Sequence, residues 1–296
     1  MTFAQPFKDY EVLDRIGSGA MGTVFKARHK SLGRVVALKV LRPSLARDER
    51  FVNRLSREAR IVAAFNHPNI VTGYDLGQEG GYHFFVMELV DGKSLRELLS
   101  EWGSFPESQV LDTAFKITSA LDHAYQKGII HRDIKPGNIL VDADNKVKLT
   151  DMGLAKGPAD LTITREGATV GTPQYISPEQ ARDPQNVDVR SDLYSLGATL
   201  FHMCTGRPPF PAETIANVIL KVVNDPAPSA RDVNPEVGEA LSMVIRKLMA
   251  KDPDLRYQTP ADLLKDLERV RRDEQPDVNL RQLEALDVVG RKPRRR

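Results

Sequence analysis

The stretch IIHRDIKPGNILV, residues 129–141, decides the fold of this chain. It places three different polar groups, those of Asp133, Lys135 and Asn138, close together on one loop. A long helical pattern precedes the loop and an apolar strand pattern follows it, and catalytic groups concentrate on loops that rigid elements position. A polar loop stiffened by Pro-Gly at 136–137 is the plain alternative, but it does not explain an acid, a lysine and an amide at these offsets.

The composition is that of an ordinary globular protein, with 41% hydrophobic and 28% charged residues in a chain of 296. The one cysteine, Cys204, excludes an internal disulfide and favours a reducing, cytoplasmic location. We find no apolar run near the roughly 18 residues of a membrane span. We also find no signal-peptide pattern at the N-terminus.

The net charge of +2 depends on the last six residues, RKPRRR, which carry five positive charges. Without them the chain has a net charge of −3, which argues against a basic nucleic-acid-binding domain. The region 273–296 is charged and poor in aromatic residues, so we predict a flexible basic tail.

The periodicity of the apolar residues changes near residues 91–93. Residues 10–90 show five strand patterns, the fourth at 69–77, and one helical pattern at 48–65, whereas residues 91–272 are mainly helical. We therefore predict an α+β protein of two lobes, 10–90 and 91–272. An N-terminal extension, 1–9, precedes them, and ligand sites favour the boundary between such lobes.

A glycine-rich turn, IGSGAMGTV at residues 16–24, lies between the first two strand patterns. Glycines in a hairpin turn are common, so the pattern alone is weak. A dinucleotide-binding turn would need a helix after the glycines and an acid about 20 residues further on. Here a strand pattern follows, and the base Lys39 stands at that distance. A lid of two strands and a glycine turn over phosphates fits better.

Lys39 and Glu58 each break the pattern of their own element. Lys39 lies in the apolar strand VVALKVL, and Glu58 takes a core-facing position on the helix at 48–65. A lysine on an edge strand is the plain alternative. Because an unpaired carboxylate in a core is costly, we expect one ion pair between the two residues, with Lys39 also directed at phosphate.

HRDIKPGN, residues 131–138, resembles the catalytic loop of the protein kinases. Further motifs of that family follow in the expected order, over a match of roughly 10–272: GSGAMGTV, VALK, DMG and SPE. Lys135 and GTPQYISPE are similar to the serine/threonine branch, and the lid resembles bacterial eukaryotic-like kinases. The resemblance implies the two-lobed protein kinase fold, with a small antiparallel sheet and one helix in the first lobe and a larger, mainly helical second lobe.

The resemblance also implies the role of each motif residue. Asp133 would accept the proton of a protein's Ser or Thr hydroxyl, while Lys135 would neutralise the γ-phosphoryl group. Lys39, held by Glu58, would bind the α- and β-phosphates of ATP. Asn138 and Asp151 would hold Mg²⁺, or Mn²⁺. The residues implied in ATP binding are Ile16, Gly17, Ser18, Gly19, Ala20, Met21, Gly22, Thr23, Val24, Ala37, Lys39, Met87, Glu88, Val90 and Leu140.

Regulation is implied in the same way. Arg132 needs a counter-charge, and Lys156 and Arg54 match the family's other phosphate-holding bases. We expect phosphorylation of one loop threonine to order its segment through charge-assisted hydrogen bonds. Ordinary polar loop residues are the alternative for the three candidates, Thr162, Thr164 and Thr169.

Further matches imply architecture rather than chemistry. Thr172 would hydrogen-bond the catalytic aspartate and lysine, and Glu179 would pair with Arg256. Asp192 would anchor the catalytic loop, although it could be only an acid at a helix N-terminus. The family's usual residue at Met152 is Phe. Methionine is apolar but less rigid, so we expect the active position of this loop to be specified less firmly.

Two other functions compete with an active kinase. A pseudokinase scaffold would typically lose the equivalents of Lys39, Asp133 or Asp151, and this chain keeps all three. The basic tail could instead bind nucleic acid or an anionic membrane, but a solvated terminus is the simpler interpretation. The partners we expect are protein substrates and a second copy of the chain for trans-autophosphorylation, with no nucleic acid.

Overall fold

The computed structural model of the chain describes residues 7–19, 22–152 and 173–279. They form two compact units. The first unit contains the described residues as far as Gly92, together with 141–152, and the second contains 93–140 and 173–279. Within these ranges, no helix is long and apolar enough to cross a membrane.

The first unit is built on an antiparallel sheet of five strands in the order β1-β2-β3-β5-β4. One face of the sheet carries a hydrophobic cluster, in which Val36, Leu38 and Val40 alternate along β3 and pack with residues such as Phe25 and Phe84. The strands are β1 (Tyr10–Ser18), β2 (Gly22–His29), β3 (Val35–Leu41), β4 (Gly73–Glu79) and β5 (Tyr82–Glu88).

Helix α1 (Glu49–Ala63) is the one helix of this unit in the described ranges. Asp48 caps it by accepting a hydrogen bond from the backbone N–H of Arg50. Its buried face includes Leu55 and Val62, and the same face also carries Glu58.

The fourth strand begins later than the sequence pattern predicts. β4 starts at Gly73, and the predicted start near Asn69 is wrong. The apolar residues before Gly73 pair elsewhere: Ile70 forms an isolated bridge with Leu149, and the Val71 N–H donates to the Leu149 carbonyl. The apolar pair at 70–71 is therefore buried because it contacts the segment at Leu149, and it does not extend β4.

Three short strands form a second sheet in the order β6-β7-β8. They are β6 (Gly92–Ser94), β7 (Ile139–Asp142) and β8 (Val147–Leu149). β7 follows the HRDIKPGN loop directly, and β8 ends two residues before Asp151.

The second unit is helical and is organised around α5, whose side chains are nearly all buried. The shortest helices, α4 and α7, were not predicted, because they have too few residues to show a 3.6-residue period. Its helices are α2 (Leu95–Trp102), α3 (Glu107–Gln126), α4 (Pro178–Arg182), α5 (Val189–Thr205), α6 (Ile215–Asn224), α7 (Ala230–Val233), α8 (Glu239–Leu248) and α9 (Pro260–Arg271).

Candidate active site

Lys39 and Glu58 form an ion pair inside the first unit. Lys39 is 8% exposed in the middle of β3, and Glu58 is 1% exposed on α1. Lys39 Nζ donates hydrogen bonds of 2.8 and 3.0 Å to Glu58 Oε1 and Oε2. Leaving one member of such a buried pair alone costs about 3–5 kcal/mol, so the two placements depend on each other.

Asp151 is a third member of this cluster. Lys39 Nζ also donates a 2.8 Å hydrogen bond to Asp151 Oδ1. Burial would lower the pKa of Lys39, but the charges of Asp151 and Glu58 outweigh it and raise that pKa, so the lysine stays charged. Burial, together with the nearby charge of Asp151, raises the pKa of Glu58 to about 7 against the opposing charge of Lys39.

The backbone of Asp151 is left-handed, with φ 60°. Non-glycine residues rarely hold this conformation, and such positions cluster at functional sites. The side chain is 31% exposed, so its carboxylate is open to a cation as well as to Lys39.

The catalytic-loop candidates meet around Asp133 in the second unit. Asp133 Oδ2 accepts hydrogen bonds from Lys135 Nζ at 2.6 Å and from Asn138 Nδ2 at 3.0 Å. Asn138 Nδ2 also donates to the Asp133 carbonyl at 2.8 Å, across the short turn Pro136–Asn138. The carboxylate is therefore oriented by two donors, and 15% of its side chain remains exposed.

Asp192 holds the backbone of the same loop. Its Oδ2 accepts from the His131 N–H and its Oδ1 from the Arg132 N–H, both at 2.7 Å. Burial raises the pKa of Asp192, while the charge of His131 and these two hydrogen bonds act against that rise. Asp192 also lies in the first turn of α5, which Asp188 caps, so it is an acid at a helix N-terminus as well as the residue that holds this loop.

Glu179 and Arg256 form a two-pronged ion pair in the second unit. The Arg256 guanidinium donates to Glu179 Oε1 at 2.6 Å and to Oε2 at 2.8 Å, and Ser191 Oγ donates to Oε1 at 2.6 Å. Burial alone would raise the pKa of Glu179, but the hydrogen bonds and charge of Arg256 outweigh it and lower that pKa to about 2.

The glycine-rich turn lies between β1 and β2. The Gly19 N–H donates to the Gly22 carbonyl at 2.9 Å. A Cβ at Gly22 would lie 2.1 Å from the Val40 carbonyl oxygen, so a side chain there would push β2 away from β3. Ser18 ends β1 and Thr23 lies opposite it in β2.

The candidate ATP-binding residues of the first unit outside the glycine-rich turn lie on neighbouring strands. Val24 is the cross-strand partner of Lys39, and Ala37 is the partner of Met87. Ile16, next to Gly17 in β1, is 48% exposed, which suits an apolar side chain that awaits a ligand. Val90 follows β5, whereas Leu140 belongs to the second unit.

Sequence reasoning missed Lys148, which binds the side chain of Glu88. Lys148 Nζ lies 2.8 Å from Glu88 Oε1 and Oε2, and Oε2 also accepts from the Thr72 N–H at 3.1 Å. Glu88 ends β5, at the segment whose backbone the family resemblance assigns to the adenine base. A lysine on a three-residue strand gives no sequence signal for this partner.

Met152 is fully buried, and it is the last described residue of the first unit. It lies in a closely packed region with residues that include Val62, Met87 and Asp151. An unbranched, adaptable side chain suits such packing.

Several predicted residues lie outside the described ranges: Ala20, Met21, Lys156, Thr162, Thr164, Thr169 and Thr172. Of the other phosphate-holding candidates, Arg54 lies on α1 and Arg132 on the catalytic loop.

The fold and these clusters define a protein kinase, and comparison with known proteins agrees. The family model described as protein kinase domain matches residues 10–266, so the chain belongs to the protein kinase family. PknB of Mycobacterium leprae, named a serine/threonine-protein kinase, is 43% identical over 275 residues and 91% of this chain. The predicted family and fold are thereby confirmed, and the relatives are bacterial kinases of the eukaryotic-like group.

Solved structures show the same likeness. The kinase domain of Mycobacterium tuberculosis PknI is 28% identical, with a TM-score of 0.68, over 89% of this chain and 96% of that one. Rad53 in complex with AMP-PNP is 27% identical, with a TM-score of 0.73, over 88% of this chain and 65% of that one. Protein kinases use ATP and a divalent metal ion. The chain covers 44% of the M. leprae PknB length, so it corresponds to one part of that protein.

Proposed function

We propose that this domain transfers the γ-phosphoryl group of ATP to Ser or Thr hydroxyls of proteins, with 10–90 and 91–272 as its lobes. The observation that carries the proposal is the orientation of the Asp133 carboxylate by Lys135 and Asn138. Asp133 accepts the proton of the substrate hydroxyl, and Lys135 neutralises the transferred group. Nucleotide-bound Rad53 supports ATP as the phosphoryl donor.

The donor chemistry fits Mg²⁺, with Mn²⁺ as an alternative. Asn138 and Asp151 offer the amide and carboxylate oxygens that hard cations prefer. Asn138 uses its nitrogen on Asp133, which leaves its side-chain oxygen for a cation. The metal supplies charge neutralisation on the phosphates. Lys39, held by Glu58, binds the α- and β-phosphates, and the backbone at Gly17–Gly19 and Gly22 covers them.

Asp133→Asn tests the proposal. We expect phosphoryl transfer to a Ser/Thr peptide to fall by about 10²–10⁴, the usual worth of a general base, while ATP affinity stays nearly unchanged. Radiolabel transfer and calorimetric ATP titration measure the two quantities. Asp144→Asn, which removes an exposed carboxylate from the β7–β8 turn, is the matched control. Full activity of Asp133→Asn would refute the assignment.

We also propose cytoplasmic trans-autophosphorylation between two copies, at Thr162, Thr164 or Thr169. The cations implied by the family resemblance, Arg132, Lys156 and Arg54, would hold the new phosphate. Mass spectrometry after incubation with ATP tests this, because an active enzyme with unmodified threonines contradicts it. Contact of the basic tail with an anionic membrane is the weaker proposal, supported only by its five charges.

A further inference from the structure

Gln180 uses one side-chain amide for two purposes. It is the third residue of α4, where it completes a capping box with Ser177. Its Oε1 accepts from the Ser177 N–H at 3.1 Å and from the Ser177 hydroxyl at 3.2 Å. Its Nε2 donates a 3.0 Å hydrogen bond to the carbonyl of Arg132. Gln180 as a whole is only 9% exposed, so water competes little for these groups.

The Arg132 carbonyl belongs to the peptide bond that leads into Asp133. Arg132 has a left-handed backbone, with φ 67°, and its N–H is held by Asp192. A non-glycine residue keeps this conformation only where its surroundings fix it. Here the N–H is fixed from α5 and the C=O is fixed from α4 by Gln180. Both attachments therefore determine where the Asp133 side chain begins.

The cap alone does not require glutamine. The capping box of α2 uses Ser94 and Glu97, and its carboxylate accepts from the Ser94 N–H at 2.8 Å. A carboxylate at position 180 could accept the same capping bonds from Ser177. It would, however, place a charged oxygen against the Arg132 carbonyl, with no hydrogen between them. Only the bond to Arg132 needs the amide.

Hydrogen bonds hold α4, the helix that carries Gln180, on two sides. Its neighbour Glu179 is fixed to Arg256 and Ser191, so α4 is attached to the core of the second unit on one side and to the catalytic loop on the other. Among the described residues, α4 is also the first α-helix after the candidate threonines.

We propose that Gln180 is a positioning residue for phosphoryl transfer: its amide fixes the Arg132 peptide and so aims Asp133 at the substrate hydroxyl. The proposal rests on the kinase function proposed above. A shift of about 1 Å in a reacting group can cost as much as 10²-fold in rate.

Gln180→Glu tests the role, because it keeps the cap and removes the donor. We expect kcat to fall by about 10- to 100-fold at high pH, with KM for ATP within about twofold of wild type. The loss should shrink as the pH falls, since a buried carboxyl facing a carbonyl takes up a proton and then donates an O–H. The measured quantity is the ratio of variant to wild-type kcat between pH 6 and 9.

A ratio that declines as pH rises supports the proposal. A flat ratio overturns it, whether near one or uniformly low. The control Glu97→Gln makes the reverse exchange in the capping box of α2, and its ratio should stay near one. If Gln180→Glu does not fold, Gln180→Met replaces it, and an unchanged kcat then overturns the proposal. Wild type that is inactive at every pH would refute the kinase function instead.

Discussion

Lys39 lies as close to Asp151 as it does to Glu58, because its Nζ is 2.8 Å from a carboxylate oxygen of each residue. One cation therefore serves two carboxylates in the first unit, and only Asp151 has appreciable exposure. A divalent cation bound to Asp151 would weaken the attraction between Asp151 and Lys39. The lysine would then interact more strongly with Glu58 and with phosphate.

The burial of Glu58 beside Asp151 predicts an unusual pH dependence for its contribution to stability. Its pKa is about 7 in the folded protein against an ordinary 4.5, so its stabilisation is fully present below about pH 4.5 and is lost as pH rises through 7. The free energy of unfolding of wild type relative to Glu58→Gln should thus fall by about 2 kcal/mol between pH 5.5 and 8. Urea denaturation without nucleotide measures it.

Glu49→Gln is the control for this titration, because it removes an exposed carboxylate from the same helix. Its difference from wild type should stay flat over the range. A wild-type stability that rises with pH relative to Glu58→Gln would contradict the shared-lysine arrangement.

The contribution of Glu179 to the free energy of unfolding should change with pH in the opposite direction. Its folded pKa of about 2 lies below the ordinary 4.5, so its stabilisation is present above about pH 4.5 and is lost as pH falls through 2. Relative to Glu179→Gln, wild type should lose between about 1 and 2 kcal/mol from pH 6 to 3.5. Equilibrium urea unfolding at each pH is the measurement, and a constant difference would show that Arg256 does not stabilise the charged form.

Lys148 should act on nucleotide binding rather than on chemistry. Lys148→Met frees one side of the Glu88 carboxylate, so we expect KM for ATP to rise about 3- to 10-fold with kcat little changed, the sign of lost uniform binding. Combined with Glu88→Gln, the two effects should be less than additive, with a coupling of about 1 kcal/mol. Steady-state kinetics measure both, with the exposed Lys146→Met as control. Additive effects would show that the pair is not coupled.

Contacts could be predicted from the sequence where a charged residue occupies an apolar position of its own strand or helix. Lys39 in an apolar strand and Glu58 on a core-facing helix position each required an opposite charge, and together they identified the pair. The contacts of Lys148 and Gln180 could not be found in this way, because Lys148 breaks no pattern and Gln180 binds a backbone carbonyl. Ser177 and Gln180 do match the capping-box spacing, so the cap was readable although the bond to Arg132 was not.

The prediction of where β4 starts was wrong for a related reason. Ile70 and Val71 are β-branched, as strand residues often are, and both are buried, but their partner is Leu149, which lies 79 positions beyond Ile70. Local periodicity reports burial and cannot distinguish a sheet neighbour from a distant segment.

The Glu179–Arg256 pair also bears on how fast the domain unfolds. The two residues are 77 positions apart, and such a loop must close before either charge gains its partner. We therefore expect the pair to form after the folding transition state, so that it slows unfolding and leaves the refolding rate nearly unchanged. In stopped-flow experiments Glu179→Gln should raise the unfolding rate far more than it lowers the refolding rate. The pair would then protect the folded domain chiefly by prolonging its lifetime.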